Sequence, residues 1–160
     1  MVDVVDKETR SRMMSGIRGK NTIPEITIRK GLHAKGFRFR LHVSNLPGRP
    51  DIVLPKFGAV VFVQGCFWHR HQCHLFKWPS TNTVFWRCKI NRNATIDASN
   101  LTSLCELGWR VLYVWECALK GPDRREPEKL VDLIAAWVKS SSQFREIAGG
   151  RRVDKKRRMN

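Results

Sequence analysis

Ten consecutive residues, Gly65-Cys66-Phe67-Trp68-His69-Arg70-His71-Gln72-Cys73-His74, carry two cysteines, three histidines and two large aromatic rings. Cys66, His71 and Cys73 fall within eight residues, close enough to share one tetrahedral zinc ion. Structural zinc takes four nitrogen or sulfur ligands and keeps no open position. Cys117, at the end of a later apolar run, offers a fourth. The spacing is not that of a standard zinc finger, so core cysteines and surface histidines are a second reading. His74 either competes with His71 or sits at the surface. His69, between the aromatics and His71, is a candidate general acid or phosphate contact, or else a surface histidine. Cys88 and Cys105 read as ordinary thiols, Cys105 on an apolar helix face.

A carboxylate suited to a different metal lies upstream. Arg49-Pro50-Asp51 precedes a short apolar run, and a second such run ends at Val63. Many metal-dependent nucleases place a Pro-Asp pair so, and the carboxylate holds Mg2+, which polarises phosphate and activates water. Those enzymes usually follow with Glu-x-Lys. Here Phe62-Val63-Gln64 brings neither acid nor lysine. Asp51 is therefore also explained as a turn residue, and Glu25 by a capping role alone.

These residues need elements to hold them. Residues 6–18 are expected to form a weakly apolar helix, an arm that orders on binding. Thr22-Ile23-Pro24-Glu25 fits a capping box with proline in the first turn. The helix that follows is expected to use Ile23, Ile26, Leu32 and Ala34 and to stop at Gly36. Phe37 to Leu41 alternates as a half-buried strand does. A turn at Leu46-Pro47-Gly48-Arg49-Pro50 leads to a strand from Asp51 to Leu54, and another runs from Phe57 to Val63. Residues 75–92 read as irregular. A helix from about Ala94 to Leu107, a strand over 109–115 and a helix over 126–139 complete the order.

The length of 160 residues suits one domain. Thirty Lys and Arg against fourteen Asp and Glu give +16. Residues 149–160 contribute six bases and one acid, so the remaining 148 residues still carry +11. Such a field favours polyanions, nucleic acid first and an anionic membrane surface second. No apolar run reaches the roughly 20 residues of a membrane span, and the acidic start is unlike a signal peptide. Five cysteines, an odd number, beside clustered histidines point to metal rather than disulfides.

Taken together, "LPGRPDIVLP", "GCFWHRHQCHLFKWP", "TVFWRCKI" and "LCELGWRVLYVWECAL" resemble the very short patch repair (Vsr) DNA mismatch endonucleases. The opening "DVVDKETRSRMMSGIRGKNTIPE" matches as well. The resemblance runs from about residue 3 to 120. It implies an α/β restriction-endonuclease-like, PD-(D/E)XK core: a mixed sheet flanked by helices, with a structural zinc site. It implies nicking of one DNA strand 5′ to the thymine of a T:G mismatch left by deamination of 5-methylcytosine.

By the same resemblance Asp51 would hold catalytic Mg2+ with the carbonyl of Val63, and His69 would meet the reacting phosphate. Glu25 and Asp97 would bind waters carried by the metal, or orient His69. Cys66, His71, Cys73 and Cys117 would bind zinc, and Phe67, Trp68 and Trp86 would wedge into the duplex. A T:G pair stacks less well than a matched pair, so a ring pushed between base steps tests deformability. Gln64 departs from the family, which carries histidine there; glutamine hydrogen-bonds but does not titrate. A nicking enzyme of the same fold with changed specificity, or a weakened mismatch binder, is the alternative. The expected organisation is an arm over 1–20 contacting DNA, one endonuclease domain over 21–148 and a basic tail over 149–160. The expected partner is double-stranded DNA, with other mismatch-repair proteins possible. The chain is expected to be a monomer in the bacterial cytoplasm, at the nucleoid.

Overall fold

The computed structural model describes residues 21–150. The expected helix over 6–18 and the tail beyond Gly150 lie outside them. Helix α1 spans Ile23–Ala34. Thr22 Oγ1 accepts the Glu25 N–H at 3.4 Å, while the Glu25 carboxylate reaches back to the Asn21 N–H at 3.0 Å. The capping box therefore closes one residue earlier than the usual pattern. At the other end Gly36 has φ 90, its N–H bonds His33 O, and the Phe37 N–H bonds Leu32 O. That pair of bonds is a Schellman motif, which requires the left-handed residue glycine supplies.

The buried face of α1 is Glu25, Ile28 and Leu32. This corrects the expected apolar face, because Ile23 is 82% exposed and Ala34 is exposed too. Gly31 lies against Val131; a Cβ there would collide with both Val131 methyls.

Five strands form one sheet in the order β1-β2-β3-β4-β5: Arg40–Leu41, Ile52–Leu54, Ala59–Gln64, Arg110–Trp115 and Phe144–Ile147. The β1–β2 and β2–β3 joins are antiparallel, and β3–β4 and β4–β5 are parallel. Helix α2 (Thr83–Glu106) crosses from β3 to β4, and α3 (Pro127–Val138) from β4 to β5. The mixed α/β architecture with flanking helices is as expected.

Alternation along the strands divides the core into two faces. Ile52, Leu54, Val61, Leu112 and Val114 meet α1 and α3, through Ile28, Leu32, Leu130, Ile134 and Trp137. Val53, Val60, Val111, Tyr113 and Trp115 face the other way, with Leu104 of α2 and with Cys66 and Cys117. Arg110 is spent on structure rather than on a partner. Its guanidinium donates to the carbonyls of Phe57, Trp137, Val138 and Ser142, closing the end of α3.

Three elements differ from expectation. The first strand contracts to Arg40–Leu41, both exposed, because Phe37 is drawn into the core as part of the α1 cap. Residues 83–92, expected to be irregular, form the first turns of α2. Strand β5 was not anticipated: only Ile147 of its four residues is buried, so it shows no apolar period. Gly149 and Gly150, assigned to the tail, are hydrogen-bonded to Cys117 Sγ and Asp123 O respectively.

Candidate active site and metal centre

A cleft of about 1180 Å³ opens at the ends of β3 and β4. Its lining includes Glu25, Asp51, Val63, Gln64, His69 and Asp97, with Trp68 at one wall. Thus Asp51, His69, Glu25, Asp97 and Gln64, the expected catalytic residues, share one space with Val63, the expected Mg2+ ligand through its carbonyl. Asp51 reaches it through the turn before β2. Arg49 N–H bonds Leu46 O at 3.1 Å, with Pro47 and Gly48 (φ 75) between them, the residue order of a type II turn.

Asp51 Oδ2 accepts the Val63 N–H at 2.7 Å. The N–H and C=O of one strand residue point to the same edge, so the Val63 carbonyl is aimed toward Asp51 as well. Burial pushes the Asp51 carboxyl up to about 7, and the neighbouring Glu25 charge adds to the rise. The Val63 N–H, Arg29 and His69 act in the opposite direction. A half-buried carboxylate beside the buried Glu25, with the Val63 carbonyl on the same edge, is an oxygen donor set that a divalent cation would satisfy. The residues fit the expected Mg2+ role.

Across the cleft, His69 Nδ1 lies 2.6 Å from Asp97 Oδ2. The loop places His69, whose N–H bonds Gly65 O at 3.2 Å, and α2 places Asp97. A carboxylate only accepts, so the proton of that bond belongs to Nδ1 and Nε2 is left for a substrate. Gln64, 4% exposed, also borders the cleft.

The ligand atoms of Cys66, His71, Cys73 and Cys117 all lie within 4.8 Å of one another. The parallel register makes this happen: Gln64 pairs with Trp115, so residues two further along each strand end side by side. His71 Nδ1 is 3.5 Å from Cys66 Sγ and 3.6 Å from Cys117 Sγ. Tetrahedral zinc with ordinary Zn–S and Zn–N lengths requires an S···N edge of about 3.6 Å. The Cys117 N–H points at Cys66 Sγ and the Gly149 N–H at Cys117 Sγ, donors suited to thiolates. Burial raises both thiols and lowers His71, so a cation is what would keep the sulfurs ionised. His71 also stacks flat on Trp115 at 4.2 Å. His74 stands apart from this group, 3.4 Å from Asp123.

Phe67, Trp68 and Trp86 form one aromatic cluster, with centroids 5.1 to 5.9 Å apart. All three are half-buried. Lys89 lies over Trp68 and Phe85.

The family description "DNA mismatch endonuclease Vsr" matches residues 2–75. The DNA mismatch endonuclease Vsr of Escherichia coli K12 is 45% identical over 138 residues, 86% of this chain and 88% of that one. The chain belongs to the Vsr family of DNA mismatch endonucleases. Its relatives also include the type II nicking enzyme V.XorIIP of Xanthomonas oryzae pv. oryzae, 44% identical over 74% of this chain and 88% of that one. The type II nicking enzyme V.NmeAIP of Neisseria meningitidis is 44% identical over 75% of this chain and 86% of that one.

Several residues of this Vsr-family cleft escaped the sequence reading. His42, Ser44, Lys89, Asn100, Tyr113 and Glu116 line it. Phe85, 57% exposed at the start of α2, extends the aromatic cluster through Trp86. His42 had a signal that was available: it follows a strand whose antiparallel partner begins just after Asp51. Among the described residues no helix is long and apolar enough to cross a membrane.

Proposed function

We propose that this Vsr-family chain is a Mg2+-dependent DNA endonuclease that nicks one strand 5′ to the thymine of a T:G mismatch. The observation that carries the reading is that Asp51 and His69 line one cleft with the aromatic Trp68 at its wall. Asp51 and the Val63 carbonyl would hold Mg2+, with Glu25 beside them. Bound there, Mg2+ polarises the scissile phosphate and lowers the pKa of water.

The chain's own residues do the rest. In its doubly protonated form His69 presents Nε2–H to the reacting phosphate and hands that proton to the leaving oxygen, while Asp97 holds the ring through Nδ1–H and balances the imidazolium charge. Lys89 and Arg49, both on the cleft wall, meet the flanking phosphates. Phe67, Trp68 and Trp86 enter the base stack, where ring–base stacking offsets part of the unstacking cost. Cys66, His71, Cys73 and Cys117 would hold Zn2+, which would stiffen the loop that carries both His69 and the wedge. The sheet and its flanking helices are read as a restriction-endonuclease-like core, and the +16 charge supports double-stranded DNA as the partner. The place of action is the bacterial cytoplasm, at the nucleoid.

The test is nicking of matched and T:G duplexes with Mg2+ and with EDTA. Mg2+-dependent cutting of the T:G strand alone is expected. Equal cutting of both duplexes overturns the mismatch reading. Gln64, where the family carries histidine, favours one second reading: nicking with an altered choice of mismatch context. A panel of mismatches and methylated duplexes separates the two.

A further inference from the structure

His42 lines the cleft, and no role has been given to it. The β1–β2 register, Arg40 to Val53 and Leu41 to Ile52, continues to set His42 opposite Asp51. The His42 N–H bonds Asp51 O at 3.3 Å. Its φ of 48 is left-handed, an uncommon conformation for a residue with a side chain and one that recurs at functional sites.

The ring is held from behind. Arg29 Nη2 lies 3.0 Å from His42 Nε2, and 2.8 Å from both Glu25 Oε2 and Asn21 Oδ1. Nη2 shares its two N–H groups among these three acceptors, and Glu25 Oε2 also lies 3.5 Å from Nε2. Arginine can only donate, so in its contact with Nη2 the Nε2 atom accepts, which places the proton of a neutral ring on Nδ1. Nδ1 is 3.9 Å from Asp51 Oδ1, beyond a direct hydrogen bond and within reach of one bridging water or a small rotation. The other oxygen, Oδ2, is already taken by the Val63 N–H.

We propose that His42 is a positioning residue for the cleft carboxylate: fixed by Arg29 through Nε2, it turns its Nδ1–H to the Asp51 oxygen that Val63 leaves open. Both oxygens are then oriented before a cation arrives. The inference rests on Asp51 being the carboxylate that holds the divalent ion. The ligand atoms of Glu25, His42 and Asp51 all lie within 4.8 Å of one another, so direct ligation by His42 is the competing arrangement. Ligation through Nδ1 would require the other tautomer, and ligation through either nitrogen would cost the Arg29 bond. With Gln64 in the family's histidine position, His42 and His69 are the histidines that line the cleft.

Three substitutions separate the roles. His42→Asn keeps a donor near Nδ1 and tolerates positive φ. His42→Gln and His42→Ala do not keep that donor. Mn2+ affinity of the full chain without DNA, followed by electron paramagnetic resonance, is expected to weaken about 10- to 100-fold for Ala and Gln. Asn is expected to stay close to wild type. Nicking should follow the same order in kcat, with KM for the mismatched duplex and Tm unchanged. Equal Mn2+ binding by all four proteins overturns the proposal, as does Asn failing as badly as Ala. A nitrogen coupling to Mn2+ that disappears in His42→Asn makes His42 a ligand and also overturns it. If wild type binds Mn2+ no better than Asp51→Ala, the reading of Asp51 falls, and this inference with it.

Discussion

Asp97 Oδ2 lies 2.6 Å from His69 Nδ1, a short hydrogen bond between two residues 28 positions apart. The bond fixes which nitrogen of His69 carries the shared proton and which is left for substrate. Removing either partner should therefore damage the same step.

His69→Ala and Asp97→Asn are each expected to lower kcat by roughly 10²- to 10⁴-fold, with KM for a T:G duplex little changed. The double variant should be no worse than the poorer single, because the pair acts as a unit. Single-turnover kinetics decide the matter: losses that multiply in the double variant would show that the residues act independently.

Asp51 is held near 7 in the folded protein, against about 3.9 in an unfolded chain. The folded state thus binds the proton more tightly, so this group favours folding below the unfolded value. That contribution is lost as pH rises through 7. In the metal-free protein Asp51→Asn should be more stable than wild type at pH 8, by roughly 1–3 kcal/mol after allowance for screening. The difference should close on acidification to about pH 4, below which both side chains are neutral. Urea unfolding in EDTA at several pH values tests this, and an Asn variant less stable at pH 8 would refute it.

The purified chain is expected to carry about one zinc per molecule, as a four-ligand structural site does. Stripping it should lower Tm and weaken mismatch binding, and Zn2+ should restore both. Cys117→Ser should lose the metal, while Cys88→Ser, an exposed thiol, should keep it. Elemental analysis showing equal zinc in these two variants would remove the assignment.

Gly31→Ala should destabilise the fold by roughly 1–3 kcal/mol, even though alanine is the better helix former by about 1 kcal/mol. The collision with Val131 methyls is the cause. Val131→Ala in the same chain should recover part of the loss, and a double-mutant cycle showing no coupling would contradict the contact.

The local chemistry was legible wherever a few neighbouring residues carry it. The α1 cap announces itself in Thr22 and Glu25, the turn before β2 in Pro47 and Gly48, and α3 in the spacing of Leu130, Ile134 and Trp137. Elements that bury little were not legible. Helix α2 is 24 residues long, yet only Ile90 and Leu104 are fully buried. Its first residues, Thr83 to Phe85, keep poor helix formers at the surface, where packing leaves no period to read. Strand β5 is hidden for the same reason.

Residue types and spacing alone therefore settle which donors exist: a four-member cysteine–histidine set, a Pro-Asp carboxylate, a histidine beside two aromatic rings and a surplus of positive charge. Which of them meet depends on how the chain folds. The parallel register of β3 and β4 brings Cys66 to Cys117, the antiparallel register of β1 and β2 brings His42 to Asp51, and the path of α2 brings Asp97 to His69. Strand register and helix placement are set by cooperative burial of distant residues, and a local pattern specifies the face a side chain takes without specifying its partner.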